Sequence, residues 1–323
     1  MWPMPLYAER HLVLVNRPGW QAMEDFEAIK ARIESQAPDI EVFIVTTEAR
    51  HSVQRKKAAR RPSLIVSPSP LGEFKPERGR ILRGRTIAKD VQLKRLEALG
   101  IPVPMWSILT PDTKLDPALW GPVLLSKPLS TSWGSHGLGM SLVPTEKLRY
   151  RPPGDFPLSH PGRHTPFIVQ RFIDTGSYAR CYRVNTILGL PLYSTSIELP
   201  EPRTDLASLR EEDTHAPIAS NSTAFGERRR AYVDDREILD LARRCHDAYP
   251  GVPVKGIDIL RDIHSGKLFV LELNPSSDTW HISSDYLAPL RTGENTREKM
   301  IAQFGAWDVA AGGLIEHTRR FAI

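Results

Sequence analysis

The chain has 323 residues, of which 41% are hydrophobic, 25% charged and 8% aromatic, an ordinary globular composition long enough for two or three lobes. No run of about eighteen apolar residues occurs, so no helical membrane span is expected, and Met1-Trp2-Pro3-Met4-Pro5 lacks the basic start and apolar stretch of a signal peptide. Cys181 and Cys245 are too few for a disulfide framework and are not spaced as C-x-x-C, which fits a reduced, cytoplasmic setting. The net charge of +5 is concentrated in "RHSVQRKKAARRP" (50–62) and "KPERGRILRGR" (75–85). These runs read as a solvated face or as a surface for an anionic partner. No interleaved aromatic residues or zinc-ligand spacing points to nucleic acid.

The elements begin as α/β. "HLVLVN" (11–16), "IEVFIVT" (40–46) and "SLIVSP" (63–68) read as strands, with a helix over 19–36 between the first two. Pro68, Pro70, Gly72, Pro76 and Gly79 punctuate a linker. A helix over 86–99 follows, with Gly100 as its C-terminal stop and Pro102 and Pro104 beyond. Next come a strand over 121–128 ending in Lys127-Pro128, a Gly/Ser stretch over 130–143, and strands over 166–173, 177–189 and 190–198, the last two turning at Gly189. Residues 201–230 are polar and irregular and read as a covering segment, with a solvated helix start at Arg228–Arg230 as the plainer account of those arginines. A helix opened by Asp234 or Asp235 spans 234–249, and "VKGIDILRD" pairs with "KLFVLELN" as a hairpin. Residues 296–323 read as one or two helices on the outside.

Within this order, Lys89 opens a helix, and Lys127 ends a strand just before a loop holding Ser135, Gly137 and Gly139. Asp258 lies on one strand of the hairpin. Glu272 and Asn274 lie two apart on the other, so they share one strand face. Glycines let backbone N–H groups approach phosphate oxygens, lysines supply point charges, and a few carboxylate or amide oxygens suit hard Mg²⁺. Singly, each feature has an ordinary explanation: a solvated lysine, a plain connector, an edge strand. The Walker pattern G-x-x-x-x-G-K-[ST] is absent.

As an ordered set the sequence resembles the ATP-grasp superfamily of carboxylate–amine ligases over residues 86–287. "AKDVQLKRLEALGIPVP" resembles the family's lysine-led helix, and "GPVLLSKPLSTSWGSHGLGM" its strand and Ser/Gly loop, as in D-alanine–D-alanine ligase. "IVQRFI" is similar to the interdomain stretch that meets adenine. "VKGIDILRD" and "LELNPSSDTWHISS" are similar to the metal-binding strands of the glutathione synthetase and ribosomal-protein glutamate ligase branch. The chain departs from the pattern at Ala179-Arg180, where an acid is expected, at "AFGERRR", and at the bulky Trp133 and His136.

The resemblance implies an α/β ATP-grasp fold. A small N-terminal parallel-sheet domain (1–84) would precede two lobes (85–165 and 166–323) that clamp ATP. Lys89 and Lys127 would contact phosphates, while Ser135, His136 and Gly137 would fold over them. Gln170 and Ile173 would bracket adenine, with Arg171 contributing backbone. Asp258, Glu272 and Asn274 would hold two Mg²⁺ ions, Mn²⁺ being an alternative. Arg180 would face an acyl phosphate, with Asn221 near the metals. Trp280, His281, Ser283 and Arg228 are the candidate contacts for the substrate.

The implied activity is ATP-dependent joining of a small-molecule carboxylate to an amine, through an acyl phosphate and with release of ADP and phosphate. A phosphotransferase on the same scaffold and a non-catalytic nucleotide-binding regulator remain the alternative readings. The expected partners are the two substrates and a possible second copy in a homodimer, with no membrane.

Overall fold

The computed structural model describes residues 9–130, 140–203, 228–275 and 296–323; Ser135, His136, Gly137, Asn221, Trp280, His281 and Ser283 lie outside them. Strands β1 (Arg10–Asn16), β2 (Ile40–Thr46), β3 (Ser63–Ser67) and β4 (Arg80–Arg83) form a parallel sheet in the order β2-β1-β3-β4. The near-continuous buried runs of the central strands β1 and β3 reflect cover on both faces, with helix α1 (Met23–Gln36) on one. Part of the basic run folds as the short helix α2 (Val53–Ala58), where Ser52 Oγ caps the N-terminus by accepting from Arg55 N at 3.1 Å. The Pro/Gly-rich stretch before β4 is not a free linker. Leu71 and Phe74 are buried within it, and it packs on the sheet.

The second sheet is antiparallel, in the order β5-β8-β6-β7. It contains β5 (Trp106–Ile108), β6 (Val123–Pro128), β7 (Ser141–Pro144) and β8 (Phe167–Arg171). The third sheet, also antiparallel, has the order β11-β10-β9-β12-β13. It contains β9 (Tyr178–Ile187), β10 (Leu190–Pro202), β11 (Arg229–Tyr232), β12 (Val254–Arg261) and β13 (Leu268–Asn274). β9 and β10 turn at Leu188 and Gly189, with φ of 52° and 84°, a tight hairpin that needs two left-handed residues. β11 replaces the helix start expected at Arg228–Arg230.

Helix α3 (Lys89–Ala98) ends before Gly100, whose φ of 65° makes it the left-handed stop. It precedes the second sheet in sequence but packs on the third. Leu96 and Ile101 share a core with Ile257, Val270 and Leu273, and Leu273 N donates to Gln92 Oε1 at 2.9 Å. A short helix, α4 (Pro117–Trp120), leads into β6. Helix α5 (Arg236–Arg244) covers the outer face of the third sheet. Asp235 caps it by accepting from Glu237 N and Ile238 N at 3.0 and 3.2 Å.

The chain closes with α6 (Arg297–Ala302) and α7 (Ala306–Phe321). These are not merely external. Ala310, Ala311 and Leu314 of α7 are buried in one core with Ile29 and Ile33 of α1 and with Leu192 and Val254 of the third sheet. Among the described residues no helix is long and apolar enough to cross a membrane.

Candidate functional site

The strand register assembles one polar row. Arg183 of β9 lies opposite Asp258 of β12, and Asp258 lies opposite Glu272 of β13. Asn274 lies opposite Gly256 in the next row of the same face. Arg183 grips Asp258 with two bonds, Nε to Oδ1 and Nη2 to Oδ2, the latter at 2.8 Å. Asn274 Nδ2 donates to Asp258 Oδ2 at 3.1 Å. Burial pushes the Asp258 carboxyl up, and the Arg183 charge pulls against it. On Arg183 the same burial is outweighed by Asp258, which holds the guanidinium above its ordinary value.

Two lysines reach this row from different elements. Because α3 lies on β13, Lys89 Nζ comes within 4.0 Å of Glu272 Oε2. Lys127, at the end of β6 on the facing sheet, is only 2% exposed. Burial lowers its pKa to about 8, Lys89 adds to that, and Glu272 and Asp258 oppose it. The site thus joins two ammonium groups, a guanidinium, two carboxylates and an amide between two sheets. Among the described residues no three His, Cys, Asp or Glu side chains gather as a metal site. A cation here would therefore rest on Asp258, Glu272 and the Asn274 amide oxygen, completed by ligand oxygens or water. That donor set suits Mg²⁺. Asp258 accepts three hydrogen bonds, leaving capacity for a further contact.

Beside the polar row runs an apolar cleft between the sheets, lined by Leu125, Leu142, Ile173, Leu260 and Leu271. Gln170 also lines it, is 1% exposed, and neither its amide oxygen nor its amide nitrogen has a partner among the described residues. A buried amide with both functions unmatched is costly, and a planar ligand with a donor and an acceptor on its edge would satisfy it. The residues present thus fit a planar base next to a row of charged groups that suit an anion and a cation.

Lys89, Lys127, Asp258, Glu272 and Asn274 come together in the polar row, and Gln170, Arg171 and Ile173 line the cleft beside it. The backbone N–H of Arg171 donates to Met105 O at 2.8 Å, and its side chain is exposed. Arg180 lines the cleft but stands apart from the polar row. Near the start of β9, three residues before Arg183, its side chain pairs with Glu198 of β10 and not with Asp258. Arg183 is the arginine that the register sets in the polar row, and counting alternate residues back from the Gly189 turn is the signal that marks its face. Arg228 and Arg230 lie near Cys181, so the third sheet gathers basic groups beside Arg183. Leu271, which regular alternation with Glu272 would put behind the strand, faces the cleft. A bulge between Asp258 and Ile259 pairs Ile259 with Val270, which leaves Leu271 as the extra residue.

No family model matches the chain, and no curated protein matches it. Solved structures do. The ATP-grasp ligase PsnB, complexed with a phosphomimetic variant of its minimal precursor, Mg and ADP, is 14% identical with a TM-score of 0.52, over 97% of this chain and 100% of that one. PsnB with precursor peptide PsnA2 and AMPPNP is 15% identical with a TM-score of 0.51, over 96% and 98%. D-alanine–D-alanine ligase from Bacillus anthracis aligns at 12% identity with a TM-score of 0.48, over 96% and 98%. The sheet order, the cleft and the full-length superposition on PsnB together identify the fold of this chain as ATP-grasp.

Proposed function

We propose that the chain is an ATP-dependent ligase that activates a substrate carboxylate as an acyl phosphate and joins it to an amine, releasing ADP and phosphate. The observation that carries this reading is the meeting of Lys127, Lys89, Asp258 and Glu272 at the mouth of an apolar cleft that holds an unsatisfied Gln170 amide. PsnB, which shares the fold, has been captured with Mg and ADP and with a precursor peptide. This supports ATP and Mg²⁺ as cofactors here and an amino acid, peptide or small metabolite as substrate.

Phosphoryl transfer is mostly positioning and charge neutralisation. Lys127 and Lys89 lie where they can meet the oxygens of the transferring group, Lys127 with its charge concentrated by burial. Mg²⁺ bound by Asp258, Glu272 and Asn274 would add Lewis-acid neutralisation of those oxygens. Arg183 keeps the Asp258 carboxylate aimed across the row. It also brings a guanidinium to the face where negative charge would build on the acyl oxygen as the amine attacks the acyl phosphate and phosphate leaves. The cleft excludes water from the base end through its leucines and Ile173. No enzyme nucleophile is required, and Cys181 and Cys245, whose thiols burial pushes up to about 12, are unsuited to be one.

Trapping with hydroxylamine tests the reaction. With ATP, Mg²⁺ and pools of amino acids, peptides and metabolites, a ligase yields a hydroxamate together with ADP. ADP accompanied by a stable phosphorylated product assigns a phosphotransferase instead, and no ADP above background removes catalysis from the account.

A further inference from the structure

Residues 172–177 connect β8 of the second sheet to β9 of the third, so they form the covalent hinge between the two walls of the cleft. Phe172, Ile173 and Thr175 of this hinge line the cleft. An arginine from the far end of β10 is built into it. Arg203 Nη1 donates to Asp174 Oδ1 at 3.0 Å, Nη2 donates to Thr175 Oγ1 at 2.8 Å, and the guanidinium lies 4.8 Å over the Phe172 ring. The Arg203 side chain is 6% exposed, itself lines the cleft, and its Nε has no acceptor among the described residues. Asp174 is held from two further sides. Its Oδ1 accepts from Gly176 N at 2.9 Å, and its Oδ2 is 3.1 Å from His264 Nε2 on the turn of the β12–β13 hairpin. Ile263 N on the same turn donates to Asp174 O at 2.8 Å.

The hinge is therefore fastened both to the end of β10 and to the hairpin that carries Asp258 and Glu272. Sequence alone leaves Arg203 as a contact for an anionic substrate or a solvated charge. The geometry makes it an internal brace instead.

We propose that Arg203 is the positioning residue for nucleotide-base binding: braced on Asp174, Thr175 and Phe172, it fixes the hinge and with it the width of the apolar cleft. The inference rests on the nucleotide reading of the site above, and it assigns Arg203 no contact with phosphate. A brace of this kind acts on ligands that have a base and is silent toward ligands that have only phosphates. Its partners also rank the substitutions. Arg203→Ala removes every contact, whereas Arg203→Lys keeps a cation for Asp174 and loses the Thr175 bond and the flat stacking on Phe172.

The test compares equilibrium binding of ADP and of inorganic tripolyphosphate, both with Mg²⁺, to the full chain and to Arg203→Ala, Arg203→Lys and Asp174→Asn. Thermal melts establish that each variant is folded. For Arg203→Ala, ADP affinity is expected to fall about tenfold or more while tripolyphosphate affinity changes by less than about twofold. Arg203→Lys should fall between wild type and Arg203→Ala, and Asp174→Asn should shift ADP binding in the same direction. Unchanged ADP affinity in the folded variants, or equal losses for both ligands, overturns the positioning role. Wild-type protein that binds tripolyphosphate but not ADP overturns the nucleotide reading, and this inference with it, before any substitution is considered. If Arg203→Ala does not fold, the Arg203→Lys and Asp174→Asn comparison still decides the matter.

Discussion

Leu271 and Glu272, consecutive in β13, both serve the cleft side of the third sheet, because the bulge at this point interrupts the alternation of the strand. Val270 and Leu273, three apart, consequently both enter the core behind it. A regular strand would have sent Leu271 into the core and denied the cleft its apolar floor.

That relationship separates two leucines only two residues apart. Leu273→Ala is expected to cost about 2–5 kcal/mol of stability, the usual range for a fully buried leucine. Leu271→Ala should cost much less stability and weaken ADP binding instead. Urea denaturation and nucleotide titration of the two variants check this, and reversed effects would mean that the bulge is misplaced.

Lys127 opposes stability and supports function. Burial lowers its pKa to about 8, so the fold holds a lysine in a setting that disfavours its charge. Lys127→Met should melt at the same temperature as the unliganded wild type or higher, and should lose ATP turnover. Retained ADP release in this variant would remove Lys127 from the phosphate site.

Removing Arg183 leaves the Asp258 carboxylate buried without its bidentate partner. Arg183→Ala is expected to destabilise by about 3–5 kcal/mol, the range for breaking one side of a buried pair. Arg180→Ala, which removes a half-exposed side chain bonded to Glu198 and Tyr182, should lie within about 1 kcal/mol of wild type. Chemical denaturation of the two variants gives the comparison.

Lys255 provides a pH test away from the site. It is fully buried against the segment that follows α5, donating from Nζ to Val252 O at 2.6 Å and lying 2.9 Å from His246 Nδ1. Burial lowers its pKa from 10.5 to about 7. Between those values the unfolded chain binds a proton that the folded chain does not, so stability rises with pH across the window, by up to about 1.4 kcal/mol per unit. Burial likewise lowers His246 to about 3, which makes stability fall as the pH drops below 6.5. Lys255→Met should flatten the melting-temperature profile between pH 7 and 10 and leave the acid limb in place. An unchanged alkaline slope would refute the assignment.

Much of this architecture is written locally. The period of two places Glu272 and Asn274 on one face, Gly189 marks a hairpin, Gly100 stops a helix, and Asp235 opens another. β4, β5 and β11 were not legible. Each has only three or four residues, too short to display alternation, and exists because a longer neighbour offers it a ladder. The pairing of Arg183 with Asp258 was not legible, because it depends on the register between strands distant in sequence. Arg203 was opaque for a different reason, since its partners lie on the hinge some thirty positions earlier in the chain. The burial of α7 was hidden by its small residues. Ala306, Ala310, Ala311 and Gly313 make no bold apolar stripe, yet they let the helix approach two sheets closely.

That close approach has a consequence for how the protein assembles. Trp307 bonds to Asp25, and Ile323 exchanges backbone hydrogen bonds with Ser63, so a segment synthesised after both jaws completes the interior of the earliest sheet. The first β-layer must wait, half-finished, for translation to reach α7. Once docked, it ties the first β-layer to the sheet that carries Asp258 through one continuous core, in which the β5–β8 layer with Lys127 has no share.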